Sequence, residues 1–189
     1  SHYASSVVFL HLGGFVLAQG FEKSQLHRRI ALKTLLEIET LDPINHFVVY
    51  EKYLLKEVDE TAVTNSHRSE FPYQTYLEMA LFYYNRNNNE EAIKILEMGP
   101  NHLLNSLWLA YLKQDQVALK VIDNESIAFV FPFRKESLKM LDWVVSHHSS
   151  WKAQYLMGLN LMGRGQMKKG IKIFKDLRQN PDDHLFYFI

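Results

Sequence analysis

Apolar residues along this chain recur every three or four positions, in runs of about three turns broken by short polar stretches, which is the period of an amphipathic α-helix. The first run is 24–41, where Leu26, Ile30, Leu35 and Ile38 share a face with Ala31 beside them. Asp42-Pro43 then restarts the chain. Aspartate caps a helix start and proline is favoured at the first helical position, so a second helix is expected to about Glu57, with Phe47, Tyr50, Tyr53 and Leu54 as its apolar set. Residues 58–71 are polar and less periodic and read as a connection with at most a turn of helix. Pro72 opens a run that carries Tyr76, Met79, Ala80 and Tyr83. Asn85-Arg86-Asn87-Asn88-Asn89 has turn chemistry, with Asn89 as cap before Glu90-Glu91 and a following helix that carries Ala92, Ile95 and Leu96.

The pattern continues with 102–112 and 116–122, a shorter pair with Asp115 as cap and Ala110 at the close contact. Residues 127–133, Ile-Ala-Phe-Val-Phe-Pro-Phe, break the period. A strand is one reading, but Pro132 and the helical context favour a buried extended linker. A helix resumes over 134–145, and 151–163 with 166–178 form a last pair, turned at Gly163-Arg164-Gly165. The tail 182–189 is aromatic and reads as the start of another helix.

Two of these pairs repeat one spacing. Ala80 is followed twelve residues on by Ala92, then by Leu96 and Gly99; Gly158 is followed twelve residues on by Gly170, then by Phe174 and Leu177. Each stretch closes on a proline, Pro100 or Pro181. Small residues set against bulky ones let the two helices of a hairpin approach closely. Gly165 suits the turn because positive φ carries no steric cost there. The chain is therefore expected to be all-α, a single repeat domain over 1–189 of about ten helices.

Ala80, Tyr83, Ala92, Leu96 and Pro100 resemble the tetratricopeptide signature, as do Gly158, Leu161, Gly165, Phe174 and Pro181, and an earlier copy is half visible in Ala31, Leu35, Ile38 and Pro43. The resemblance implies a right-handed α-solenoid of helical hairpins, and the chain departs from the pattern in Gly170 and Gly99, which replace usual alanines, and in irregular spacing between repeats. More narrowly, Leu41-Asp-Pro-Ile-Asn-His-Phe47, Tyr76-Leu-Glu-Met-Ala-Leu-Phe-Tyr-Tyr-Asn85, Phe129-Val-Phe-Pro-Phe-Arg134 and Trp151-Lys152 resemble the helical-repeat region of large bacterial proteins common in gut Bacteroidetes. Those proteins carry an uncharacterised β-sandwich domain of carbohydrate-related type in front of the repeats. This second likeness implies an excised repeat segment of a longer protein, and it implies no established activity for the segment.

Composition narrows the chemistry. Lysine plus arginine and aspartate plus glutamate both total 21, so the formal net charge is zero and nothing global favours nucleic acid or an anionic membrane, although a local basic patch is compatible with this balance. There is no cysteine, which removes disulfides and thiolate metal ligands. The apolar run 7–18 is interrupted by His11 and two glycines and falls short of the roughly 20 residues a membrane span needs. No lysine or arginine precedes it, so it is a poor signal peptide and a soluble setting is expected; the bacterial resemblance implies cytoplasm or periplasm without deciding between them.

No constellation of reactive groups stands out. His147-His148 are adjacent and point to different helix faces, with no HExxH motif or third ligand near, and read as a solvated helix end. His46 and Glu51 are not at i, i+4 spacing, so His46 reads as an interior or capping hydrogen-bonder. Glu90-Glu91, Glu37 with Glu39, and Asp182-Asp183 are neighbours on single segments, whereas catalytic carboxylates flank a substrate. Gly13-Gly14 and Gly163-x-Gly165 lack the lysine and the strand of a phosphate loop. Asn124-Glu-Ser126 matches a glycosylation sequon, read here as chance. No metal, cofactor or catalytic residue is expected.

The expected function is binding without catalysis, by a helical-repeat scaffold for a protein or peptide, or for another domain of the same chain. The positions expected to line a concave surface are Leu77, Leu81 and Tyr84 in one hairpin, with Lys152, Tyr155, Leu159 and Met162 in another. Packing against neighbouring hairpins is the competing use of these residues. Exposed ends of a repeat array also allow dimerisation. The alternative is an accessory segment of a carbohydrate-active or carbohydrate-binding protein, where tyrosine and tryptophan would stack on sugars.

Overall fold

Helical periodicity gives helices among the described residues. The computed structural model describes residues 25–66 and 70–177, and among these there are ten α-helices, one short 3₁₀ turn and no strand. The expectations for 7–18, 182–189 and Pro181 lie outside the described residues. The chain separates into two compact units, 1–68 and 69–189.

The first unit holds α1 (Leu26–Leu41), α2 (His46–Leu54) and α3 (Glu60–Ser66). Neighbours in sequence pack on each other, α1 on α2 and α2 on α3. The cap of α2 is Asn45, whose side-chain oxygen accepts the Val48 N–H at 3.2 Å, and not Asp42 as expected. Asp42 closes α1 instead: its N–H donates to the Ile38 carbonyl, and its carboxylate accepts from Asn45 Nδ2 at 3.0 Å. The helix also stops at Leu54, short of Glu57. Of the expected face of α1, Leu26, Ala31 and Leu35 are half-buried while Ile30 and Ile38 are exposed. The connection expected over 58–71 holds a seven-residue helix. Asp59 starts it by accepting from Thr61 Oγ1 and the Ala62 N–H, and these bonds hold its carboxyl below the usual range.

The second unit runs α4 (Pro72–Tyr84), α5 (Asn89–Met98), α6 (Leu103–Lys113), the 3₁₀ turn Val117–Lys120 leading into α7 (Val121–Asn124), then α8 (Lys135–His147), α9 (Trp151–Gly163) and α10 (Met167–Leu177). Pro72 occupies the first turn of α4, where its missing N–H costs no hydrogen bond. Each main helix packs on the next: α4 on α5, α5 on α6, α6 on α8, α8 on α9 and α9 on α10. Leu107 and Trp108 of α6, Met140 and Leu141 of α8 and Leu156 of α9 are almost wholly buried between them. The cap of α5 is Asn88 rather than Asn89: Asn88 Oδ1 accepts the Glu91 N–H at 3.2 Å. Asp115 Oδ1 accepts from the N–H groups of Val117 and Ala118, as its position before the 3₁₀ turn suggested.

The paired small residues do set the contact between α9 and α10. A Cβ on Gly158 would stand 2.5 Å from Phe174 Cε1, inside van der Waals contact. A Cβ on Gly170 would overlap Met162 Cγ and stand 3.0 Å from the Gly158 carbonyl oxygen. Gly165 holds the turn at φ 75°.

The linker after α7 is only half buried, which corrects the expectation for 127–133. Ile127, Val130 and Pro132 face inward, while Phe129, Phe131 and Phe133 face outward. The end of the linker is fixed by Asn160, a buried side chain of α9 whose Nδ2 donates to the carbonyls of Pro132 and Arg134. Arg134 then forks onto the two carboxylate oxygens of Glu78 on α4.

His102 caps α6 through Nδ1, which accepts the Leu104 N–H at 3.3 Å, and its ring stacks on Tyr73 at 3.5 Å with an 8° tilt. Accepting requires the neutral imidazole at Nδ1. Burial pushes its pKa below the ordinary 6.5, and the carboxylate of Glu125 opposes this more weakly. Because the folded value is the lower one, the unfolded chain takes up the proton first. The stability His102 contributes is present above pH 6.5 and is lost as pH falls through the folded value. His102→Asn keeps a cap acceptor that does not titrate. Urea unfolding on either side of pH 6.5 should therefore show acid destabilisation of the parent chain that is reduced in His102→Asn. Equal acid sensitivity in the two chains would assign the effect to other groups.

Candidate functional site

The site grows from the ends of α4 and α6. Tyr83 and Tyr84 close α4, and their carbonyls receive the N–H groups of Arg86, Asn87 and Asn88, so the asparagine run turns sharply. Asn87 adopts φ 60°, a region asparagine tolerates better than most residues. At the end of α6, Gln114 takes φ 56° and returns its side-chain amide to the Tyr111 carbonyl at 2.6 Å. These two turns frame an open groove of about 360 Å³. Its walls are Tyr84, Asn85, Asn87 and Asn89 from the first turn, Tyr111, Leu112 and Gln114 from α6, and Lys139 from α8.

Beneath the groove lies a run of aromatic rings that joins three helices. Tyr84 meets Trp108 edge-on at 5.3 Å, Trp108 meets Tyr111 at 5.6 Å, Tyr111 meets Trp143 at 5.7 Å and Trp143 meets His147 at 4.9 Å. The first three are edge-to-face pairs, which contribute about 0.5–1.5 kcal/mol each beyond area burial. They also fix the tyrosine rings. The hydroxyls of Tyr84 and Tyr111 stand 3.3 Å apart. Burial, helped by the hydrogen bond with Tyr84 and by Tyr84's own charge when ionised, pushes the Tyr111 hydroxyl up to about 12, so it stays protonated at neutral pH. Asn85 Nδ2 donates to Glu136 Oε1 at 3.0 Å, which holds that amide against α8. The groove thus presents carboxamides, neutral hydroxyls and one ammonium. Each carboxamide offers a donor and an acceptor side by side.

Of the residues singled out from the sequence, Tyr84 alone lies in this groove. Leu77, Leu81 and Tyr155 are buried, and Leu159 and Met162 are half-buried. The reason is that α4 and α9 are covered on more than one side. Tyr76, Leu77, Met79, Ala80, Leu81 and Tyr83 of α4 are all buried, positions that span more than half its circumference. Tyr155 packs on Phe174 at 5.4 Å. Lys152 is a strut: its ammonium donates to the carbonyls of Asp123 at 3.0 Å and Glu125 at 2.7 Å, at the end of α7. Tyr111, Gln114 and Lys139 stand outside the residues expected to bind. Their signal in the sequence is Tyr111 one turn after Trp108, on the helix whose close contact is expected at Ala110.

The histidine pair divides. His147 Nδ1 lies 2.8 Å from the Trp143 carbonyl, and His148 Nε2 lies 2.9 Å from Asp123 Oδ2. Among the described residues, no three of His, Asp and Glu gather as a metal site would require, and no helix is long and apolar enough to cross a membrane. Compared with known proteins, the chain matches no family model, no curated protein and no solved structure.

Proposed function

We propose that this chain is a non-catalytic helical-repeat scaffold whose hairpins are tetratricopeptide-like and stack as a right-handed solenoid, and that its second unit binds an extended segment of a protein partner or of another domain of its own chain. The observation that carries this reading is the groove at Tyr84 and Tyr111, where three asparagines and Gln114 surround neutral hydroxyls on a rigid aromatic base. A peptide backbone offers alternating donors and acceptors, and carboxamides match both. The size also fits, since ligand clefts commonly hold about 300–1,000 Å³. Packing of each helix on the next through the second unit supports the repeat reading.

A second reading has support from the same lining. Tyrosine faces and carboxamides also suit a sugar ring, which keeps an accessory role in carbohydrate recognition in play. The two are separated by probing the full chain on peptide and glycan arrays, beside Tyr84→Phe and Asn87→Gly. The first removes a hydroxyl and the second removes an amide while keeping a residue that accepts positive φ. Peptide binding lost in both variants at unchanged melting temperature is the expected result. Glycan binding lost in them would establish the second reading, and peptide binding indifferent to both would place the site elsewhere.

A further inference from the structure

Although the chain is neutral overall, residues 134–177 carry nine lysines and arginines against three carboxylates, a net charge of +6. Part of this excess surrounds a second groove, of about 420 Å³, between α8, α9 and α10. Leu138, Met157 and Leu161 form its floor; Leu161 is buried and the other two are half-buried. Lys135 and Lys139 of α8 and Lys169 of α10 stand on its rim, all exposed. None of the three has an ion pair or a side-chain hydrogen bond with a described residue, unlike Lys52, Lys94 and Lys113, which each hold a glutamate. The lone carboxylate in the lining is Asp142. Lys139 also lines the Tyr84–Tyr111 groove, so the two adjoin along α8.

We propose that this second groove takes an acidic peptide segment of a protein partner, whose apolar side chains enter over Met157 and Leu161 while its carboxylates meet Lys135, Lys139 and Lys169. The proposal rests on the reading of the first groove as a peptide site and gives that peptide its charge and its onward path past Lys139. Charge complementarity is the argument. Three uncommitted ammoniums around an apolar floor attract carboxylates at long range and leave the floor for side chains of the leucine or methionine kind. Two other anionic partners fit less well. Nucleic acid uses ring stacking and arginine forks, and this lining contains neither. A bilayer is flat, whereas here the apolar atoms lie below the lysine rim.

The test is selection of a displayed random dodecapeptide library on the full chain, followed by Kd measurement of the enriched peptides by fluorescence anisotropy. The expected pool is rich in Asp and Glu with interspersed Leu, Ile or Met, and its binding weakens as salt rises. Lys135→Glu combined with Lys169→Glu should weaken the selected peptides about tenfold or more, since each exposed pair is turned from attraction to repulsion. Exposed lysines bear no packing, so the melting temperature should hold. A pool without acidic bias that is still lost in Asn87→Gly would overturn the acidic groove and leave the first groove standing. Failure to enrich any peptide would overturn both. Lysine-dependent binding of a dodecathymidine oligonucleotide or of phosphatidylserine vesicles, without acidic peptides, would assign the groove to those partners instead.

Discussion

Phe174→Ala is expected to remove ~3–5 kcal/mol of stability, measured by urea unfolding of the full chain. The ring is 5% exposed, packs on Tyr155 at 5.4 Å and lies against the bare Cα of Gly158. Its loss leaves a cavity bounded by two rigid helices that cannot collapse without breaking their own contact. The same geometry predicts a change of sign at Gly158. In an isolated helix, alanine is favoured over glycine by about 0.8–1.0 kcal/mol. In this chain the added methyl meets Phe174 at 2.5 Å, so Gly158→Ala should destabilise the parent. In a Phe174→Ala background the obstacle is gone, and Gly158→Ala should then stabilise. Additive effects at the two positions, or a loss below about 1 kcal/mol for Phe174→Ala, would mean that the ring does not hold these helices together.

That contact was legible because it is local: Gly158, Gly170 and Phe174 belong to one hairpin, and their spacing alone brings them face to face. Pro72 at the start of α4, the bounds 151–163 and the positive φ of Gly165 were legible for the same reason. Caps were read one residue or one turn away from their place. In Asp42-Pro43-Ile44-Asn45 and Asn87-Asn88-Asn89, more than one side chain can accept a first-turn N–H. Which one does so depends on how the preceding chain arrives. Asn45 reaches Val48, and Asn88 reaches Glu91 because Asn87 has already turned. The linker was misjudged because composition gives no direction. Ile127, Val130 and Pro132 turn inward, the last with its carbonyl held by the buried amide of Asn160, and the phenylalanines between them are left outside. The groove itself was hardly legible. Tyr84 meets Tyr111 across 27 residues, and no pattern within one hairpin reports a pairing between helices of different hairpins.

Trp108 decides whether that groove has a stiff base. It is 1% exposed, touches both Tyr84 and Tyr111, and belongs to the helix that packs on α5 and α8. Truncating a tryptophan so placed costs ~3–5 kcal/mol. One term works in the other direction. Its Nε1–H is buried and meets no acceptor among the described residues, and an unsatisfied buried donor costs about 1–3 kcal/mol. Trp108→Ala relieves that donor while it opens the cavity, so a net loss centred on ~2 kcal/mol is expected. Trp108→Phe relieves the donor as well, keeps an edge-on ring beneath both tyrosines and opens a much smaller space. It should cost under about 1 kcal/mol by urea unfolding and leave peptide binding at Tyr84 intact. A loss in Trp108→Phe as large as in Trp108→Ala would show that the indole N–H is satisfied in solution. The base of the groove would then be held by a hydrogen bond and not by ring packing alone.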